Sequence, residues 1–204
     1  MWVRTYPVTF LHDVTEPEHH HDWHQLTFAT RGHLELVTSA ARYLVPADRA
    51  IWVPAGTAHA EVMRAPVSVR SLFVARAALA APALAAGAAA AAPGEPWARV
   101  RTLAVSPLLR ELILHVIRCG ALDAGRHPHP IGLLIELLAA APSVDLEVAL
   151  PRDPRARRFA ELVLADPGGA TPIARLARRA GASVRTLERW FAADTGLRSE
   201  ERRV

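Results

Sequence analysis

The chain has 204 residues, 51 % apolar and 22 % charged, enough for one large domain or two small ones. That balance excludes a disordered tail protein or a coiled coil. The formal charge is +4 and every one of the 24 basic residues is arginine, but residues 151–204 hold twelve arginines against seven acids, leaving residues 1–150 near neutrality. A basic C-terminal segment on a neutral body implies a polyanion partner for that segment alone.

The first twelve residues lack the basic-then-apolar layout of a signal peptide. His19, His20, His21 and His24 cluster just before the first expected strand. From residue 26 to 74 the sequence is a series of short β-type runs separated by turns at Arg31-Gly32, Pro46-Ala47-Asp48 and Pro54-Ala55-Gly56. Such close spacing predicts an antiparallel sandwich or barrel. Leu34 with Leu36, and Ile51 with Val53, recur at period two and should face one core.

Residues 75–96 form a low-complexity Ala/Pro/Gly connector. Its alanine is too weakly hydrophobic to span a bilayer, so no membrane partner is expected. A helix follows, with Ser106 as cap, Pro107 in the first turn, Gly120 at the end, and Leu109, Leu112, Ile113, Val116 and Ile117 in one stripe. The single cysteine, Cys119, excludes a disulfide framework and fits a reducing, cytoplasmic setting. A second apolar helix spans about 131–141. Either both helices pack on the barrel, or they make the chain a homodimer through residues 106–141.

Beyond a Pro-containing linker, Asp153 caps a helix with Phe159, Leu162 and Val163 inward. Helices over 173–180 and 184–194 then flank a turn at Gly181, with Ser183 as the cap of the second. Ala177, Gly181 and Leu187 have the spacing of a helix-turn-helix, although a plain helical hairpin satisfies it too. Outward positions of the second helix carry Arg185, Thr186, Glu188 and Arg189, with Arg178 and Arg179 at the preceding turn. Arginine can donate bidentately to guanine and glutamate can accept from cytosine. Arg178, Arg179 and the helix-end amides suit phosphates. A solvated basic face would account for any one of these residues, but less well for the set.

The run Ser183-x-Arg185-Thr186-Leu187-x-Arg189-x-Phe191, followed by Thr195-Gly196, closely resembles the first helix-turn-helix of AraC/XylS-type transcription regulators. The resemblance implies base or phosphate contacts at Arg185, Glu188 and Arg189, with Leu187 and Phe191 in the core and promoter DNA as partner; Ser183 and Thr186 complete the expected DNA-binding set with Arg178 and Arg179. His19-x-His21-x3-Gln25 and Pro54-x-Gly56-x2-His59 resemble the two motifs of the cupin barrel, which many such regulators carry as a sensor. In metal-binding cupins, His19, His21, residue 25 and His59 would converge on one ion. The usual fourth ligand is glutamate, and Gln25 is a poorer one. The histidines therefore line a small-ligand pocket, hold a metal signal such as nickel or zinc, or are solvated loop residues; His20 and His24 fit the last reading. Trp23 and Trp52 could wall the pocket or belong to the core.

The expected architecture is α+β: a cupin-like sensor barrel (1–75), a connector and helical hairpin (76–150), and a partial helix-turn-helix domain (151–204). The family's DNA-binding domain has two such units, and the charged tail after Gly196 lacks the pattern of the linking helix. The expectation is a reading frame lost near Leu197. The leading function is a one-component, non-enzymatic transcription regulator responding to a small effector or metal. A metal-dependent cupin enzyme, and an inactive or inhibitory fragment, are the alternatives.

Overall fold

The computed structural model describes residues 1–80, 97–144, 147–149, 151, 153–164 and 171–195. The Gly196 position and the tail on which the expectation of a lost frame rests lie outside the described residues, as does most of the connector. Two compact units divide the chain, Met1–Thr38 with Tyr43–Glu147, and Ser39–Arg42 with Val148–Val204.

The first unit is built on an antiparallel sheet whose path runs β8-β1-β6-β3-β5-β7-β9. The strands of the chain are β1 (Val3–Phe10), β2 (Val14–His19), β3 (His24–Val37), β4 (Ala41–Pro46), β5 (Arg49–Val53), β6 (His59–Val74), β7 (Arg101–Ala104), β8 (Ala121–Leu122), β9 (Ser143–Val144) and β10 (Glu147–Ala149), the first two residues of β4 and the last two of β10 belonging to the second unit. β6 is the spine. Its second half pairs with β1 and the start of β3, its first half with β2 and the end of β3. Where β3 bulges, Gly32 has φ +73°, and a Cβ there would lie 2.5 Å from the Pro66 carbonyl oxygen. Only glycine fits that approach.

Two differences from the sequence reading concern the site. The histidine cluster does not precede the first strand; it ends β2 and links it to β3. β1 and β2 escape sequence patterning because Pro7 and Pro17 interrupt them and β2 is largely exposed. Proline is tolerated along such edges, where its missing N–H costs no ladder bond. The sheet is also completed from further along the chain, by β7, β8 and β9.

Leu34, Leu36, Ile51 and Val53 are all 0 % exposed. β5 is buried on both faces, because Ala50 and Trp52 lie in a second cluster with the helices α2 (Pro107–Cys119) and α3 (Pro128–Ala140). α2 and α3 follow the short α1 (Arg76–Ala80). Ser106 Oγ accepts from the Leu109 amide, and Gly120 closes α2 at φ +76°. Leu109, Ile113, Val116, Ile131, Leu134 and Leu138 pack with Val3, Leu26 and Leu72 of the strands, so the apolar stripes of both helices cover the sheet. Arg101 on β7 donates to the Leu138 carbonyl at 2.8 Å and fixes the C-terminus of α3. No helix among the described residues is long and apolar enough to cross a membrane.

The second unit holds α4 (Pro154–Leu164), α5 (Ile173–Arg179) and α6 (Val184–Thr195). Asp153 Oδ1 caps α4 by accepting from the amides of Arg155 and Ala156. Phe159, Ala160, Leu176, Ala177 and Leu187 form its core. Ala177 is 1 % exposed where α5 meets its neighbours, and Gly181 turns the chain at φ +77°. Ser183 Oγ accepts the Thr186 amide at 3.2 Å and starts α6. The Phe191 side chain lies outside the described residues.

Candidate functional site

β2 and β6 bring His19 and His59 into register as cross-strand partners, and the β2–β3 link carries His21 beside them. The Gly56 amide donates to the His21 carbonyl at 2.8 Å, so the turn before β6 is stitched to that link. The ring centroids lie 4.5 Å (His19–His59), 5.2 Å (His21–His59) and 6.0 Å (His19–His21) apart. One ligand atom from each of the three falls within 4.8 Å of the others.

Each of the three rings has Nδ1 on a backbone carbonyl two residues away: His19 on Pro17 at 2.9 Å, His21 on Trp23 at 2.6 Å, and His59 on Thr57 at 2.8 Å. A carbonyl accepts only, so each Nδ1 carries the proton, and in the neutral rings Nε2 keeps its lone pair. Gln25 completes the arrangement. Its amide nitrogen donates to Thr27 Oγ1 at 2.8 Å and to Glu61 Oε1 at 3.0 Å. Those acceptors fix the amide orientation, and Oε1 faces His21 Nε2 at 2.7 Å and His59 Nε2 at 3.2 Å. Nε2 of His21 and Nε2 of His59 thus both face the Gln25 oxygen.

Such a set fits a cation. Three imidazoles and an amide oxygen match zinc or nickel in donor type, and carbonyl-anchored imidazoles are how proteins fix the metal-binding tautomer. The proline, tryptophan and threonine carbonyls would be its outer shell. Burial holds His59 near a pKa of about 4, more than offsetting the Thr57 hydrogen bond that favours its charged form, so the ring is neutral at neutral pH.

Glu61 was not singled out from sequence. It lies on β6, two residues beyond His59, and period-two alternation places it on the same face. It is 5 % exposed, and burial, with a smaller contribution from Glu16, raises its pKa to about 7. His20 is exposed, in keeping with a solvated loop residue. His24 is not. It is 9 % exposed, stacks on Trp52 with centroids 5.1 Å apart, and accepts the Ala55 amide on Nδ1. Trp52 belongs to the core beneath the helices, and the Arg4 guanidinium lies 4.1 Å over the Trp23 ring.

Burial lowers the His24 pKa from 6.5 to about 4, so the fold favours its neutral form. Its contribution is present above pH 6.5 and is lost as pH falls through about 4, a loss of about 2 kcal/mol after allowance for partial solvation. Glu61 acts oppositely: its contribution is present below its ordinary 4.5 and is lost as pH rises through about 7. Urea midpoints between pH 7 and 4.5 should therefore fall less in His24→Phe, which keeps the stack without titrating. Equal slopes in the two proteins would contradict this account.

In the second unit Arg178, Arg179, Ser183, Arg185, Glu188 and Arg189 are exposed, Thr186 is half-buried, and Leu187 is buried. Ser183 and Thr186 bond each other through their hydroxyls at 2.8 Å, within the helix cap.

The profile of the AraC-like ligand binding domain matches residues 9–149. The HTH-type transcriptional regulator NimR of Escherichia coli is 26 % identical over 187 residues, or 91 % of this chain, and the chain spans 63 % of that relative's length. Among solved structures, fatty-acid-bound ToxT from Vibrio cholerae is 11 % identical, with 98 % of this chain and 75 % of that one covered and a TM-score of 0.45. The AraC-like transcriptional activator CuxR is 15 % identical over 86 % of this chain and 62 % of its own, with a TM-score of 0.44. A cupin superfamily protein from Desulfitobacterium hafniense is 14 % identical over 36 % of this chain and 68 % of its own, with a TM-score of 0.35. With more than half of its length in the profile match, the chain belongs to the family of AraC-like ligand-binding domains.

Proposed function

We propose that this chain is a non-enzymatic, DNA-binding transcription regulator whose barrel takes a divalent transition metal, nickel or zinc, as its effector at His19, His21, Gln25 and His59. The second unit reads promoter DNA through α6, with Arg185, Glu188 and Arg189 toward the bases and Arg178 and Arg179 toward phosphates. Residues 1–75 with the helices over 106–141 form the sensing part, residues 151–204 the reading part, and the cytoplasm the setting. Leu108, 56 % exposed on α2, and Leu133, 38 % exposed on α3, favour a homodimer through that hairpin.

The observation that carries the effector reading is the anchoring of three imidazole Nδ1 atoms on carbonyls, with ligand atoms of the three rings within 4.8 Å of one another and the Gln25 oxygen facing Nε2 of His21 and His59. The resemblance to NimR, named as a transcriptional regulator, supports the DNA-binding reading. Selection of duplexes from a random library at low salt tests both together. An enriched sequence should be retained, and nickel should change its dissociation constant by about 5- to 150-fold, the range of ordinary allosteric coupling. Retention that is indifferent to the metal would remove the effector role; failure to enrich any duplex would remove the reader.

A further inference from the structure

The first unit holds a cavity of about 210 Å³ that reaches the histidine cluster, lined by Glu16 and Glu61, by His19 and Gln25 of the donor set, and by Tyr6, Phe10 and Phe73. Glu61 is 5 % exposed. Glu16 is its cross-strand partner in the β2–β6 register and stands at the exposed end. Directly opposed side chains have their Cβ atoms about 4.5–5.5 Å apart, and like charges in that relation are destabilising. Two carboxyl groups therefore share one opening. No arginine is among the described lining residues, and the chain contains no lysine.

This lining selects by charge and by shape. An anion would meet two acids. A hydrated metal ion gains nothing from aromatic walls, whereas an organic cation gains from both features, because ring faces attract it as the carboxylates do. The volume is below the ~300–1,000 Å³ of sites for drug-sized ligands, which limits the occupant to about one ring. We propose that the cavity takes a small organic ammonium ion, its nitrogen at Glu61 and Glu16 and its carbon body against Tyr6, Phe10 and Phe73. This deepens the effector reading and rests on it. Glu61 lies two residues along β6 from His59, about 7 Å at strand rise, and neither His21 nor His59 is among the described lining residues, so the ammonium subsite adjoins the histidine subsite and shares His19 and Gln25 with it. The Gln25 amide stands between them, its nitrogen on Glu61 and its oxygen on His21 and His59.

Melting of the full chain in EDTA with benzylamine, benzyl alcohol or benzoate as probes tests the assignment. Benzylamine at tenfold excess over its dissociation constant should raise the melting temperature by about 3–5 °C, and the isosteric alcohol and the benzoate anion should not. Glu61→Gln should abolish the shift. Phe10→Leu, which keeps an apolar wall but removes a ring face, should weaken benzylamine binding about fivefold while still folding. His21→Ala/His59→Ala should retain the benzylamine shift. Stabilisation by the alcohol equal to that by the amine, an undiminished response in both Glu61→Gln and Phe10→Leu, or no response to benzylamine overturns the proposal. Nickel is a separate arm: a nickel shift without a benzylamine shift sinks the ammonium site alone, and the reverse result sinks the metal reading alone.

Discussion

Nickel or zinc at a hundredfold excess over its dissociation constant is expected to stabilise the native chain by about 2.7 kcal/mol, a rise in melting temperature of about 5–10 °C for a chain of this size. The metal adds bonds that the native state makes and the unfolded chain does not, because β2, β6 and the β2–β3 link must pair before the three rings meet. His21→Ala/His59→Ala should show no rise, since one remaining imidazole and an amide oxygen bind weakly. His20→Ala, exposed and outside the cluster, should respond like the native chain. Thr27→Val removes one of the two acceptors that hold the Gln25 amide nitrogen, and should weaken metal binding about tenfold by loosening the oxygen donor. An equal rise in the native chain and the double histidine variant would sink the site. So would a titration by calorimetry in which neither protein takes up metal.

The strands from 26 to 74 were legible because Leu34, Leu36, Ile51 and Val53 alternate, and all four are buried. β1 and β2 were not, because an edge strand with one solvated side and an internal proline lacks the apolar alternation that marks a half-buried strand. The helix α2 carried clear capping and period signals and α3 an apolar run, but their stripes did not reveal which surface they cover; Val3, Leu26, Trp52 and Leu72 packed beneath them do that. At the site, the resemblance to the cupin motifs brought forward His19, His21, Gln25 and His59, which the fold gathers. The amide at Gln25 looked like a defect in the donor set. What the sequence could not convey is that Thr27 and Glu61 hold that amide with its oxygen toward the rings. Glu61 itself was within reach, as the same-face neighbour of His59 on one strand. His24 was not, since nothing local distinguishes a solvated loop histidine from one stacked on a core tryptophan 28 positions away.

Arg185→Ala is expected to weaken binding to a selected duplex by about 1–3 kcal/mol, roughly 5- to 150-fold, and to relax preference at one base position. Ser183 caps α6 and Leu187 is buried in the three-helix core, so cap and anchor together fix how the helix is rotated. That rotation leaves Arg185, Glu188 and Arg189 exposed on the first two turns, the part of such a helix that enters a major groove. Thr186 is half-buried and its hydroxyl is engaged with Ser183, so Thr186→Val should act through the cap more than through DNA. Arg178, exposed at the end of α5, faces a different consequence. A phosphate contact carries no sequence information, so Arg178→Ala should weaken all duplexes alike and reduce the slope of log affinity against log salt by about 1. Arg110→Ala removes an equally exposed arginine from α2 in the first unit and should leave affinity and salt slope unchanged. Fluorescence anisotropy with the selected duplex and a scrambled one, at three salt concentrations, separates these outcomes. If Arg185→Ala weakens both duplexes equally, the base-reading role passes from that residue to a general electrostatic one; if it weakens neither, α6 is not the surface that meets DNA.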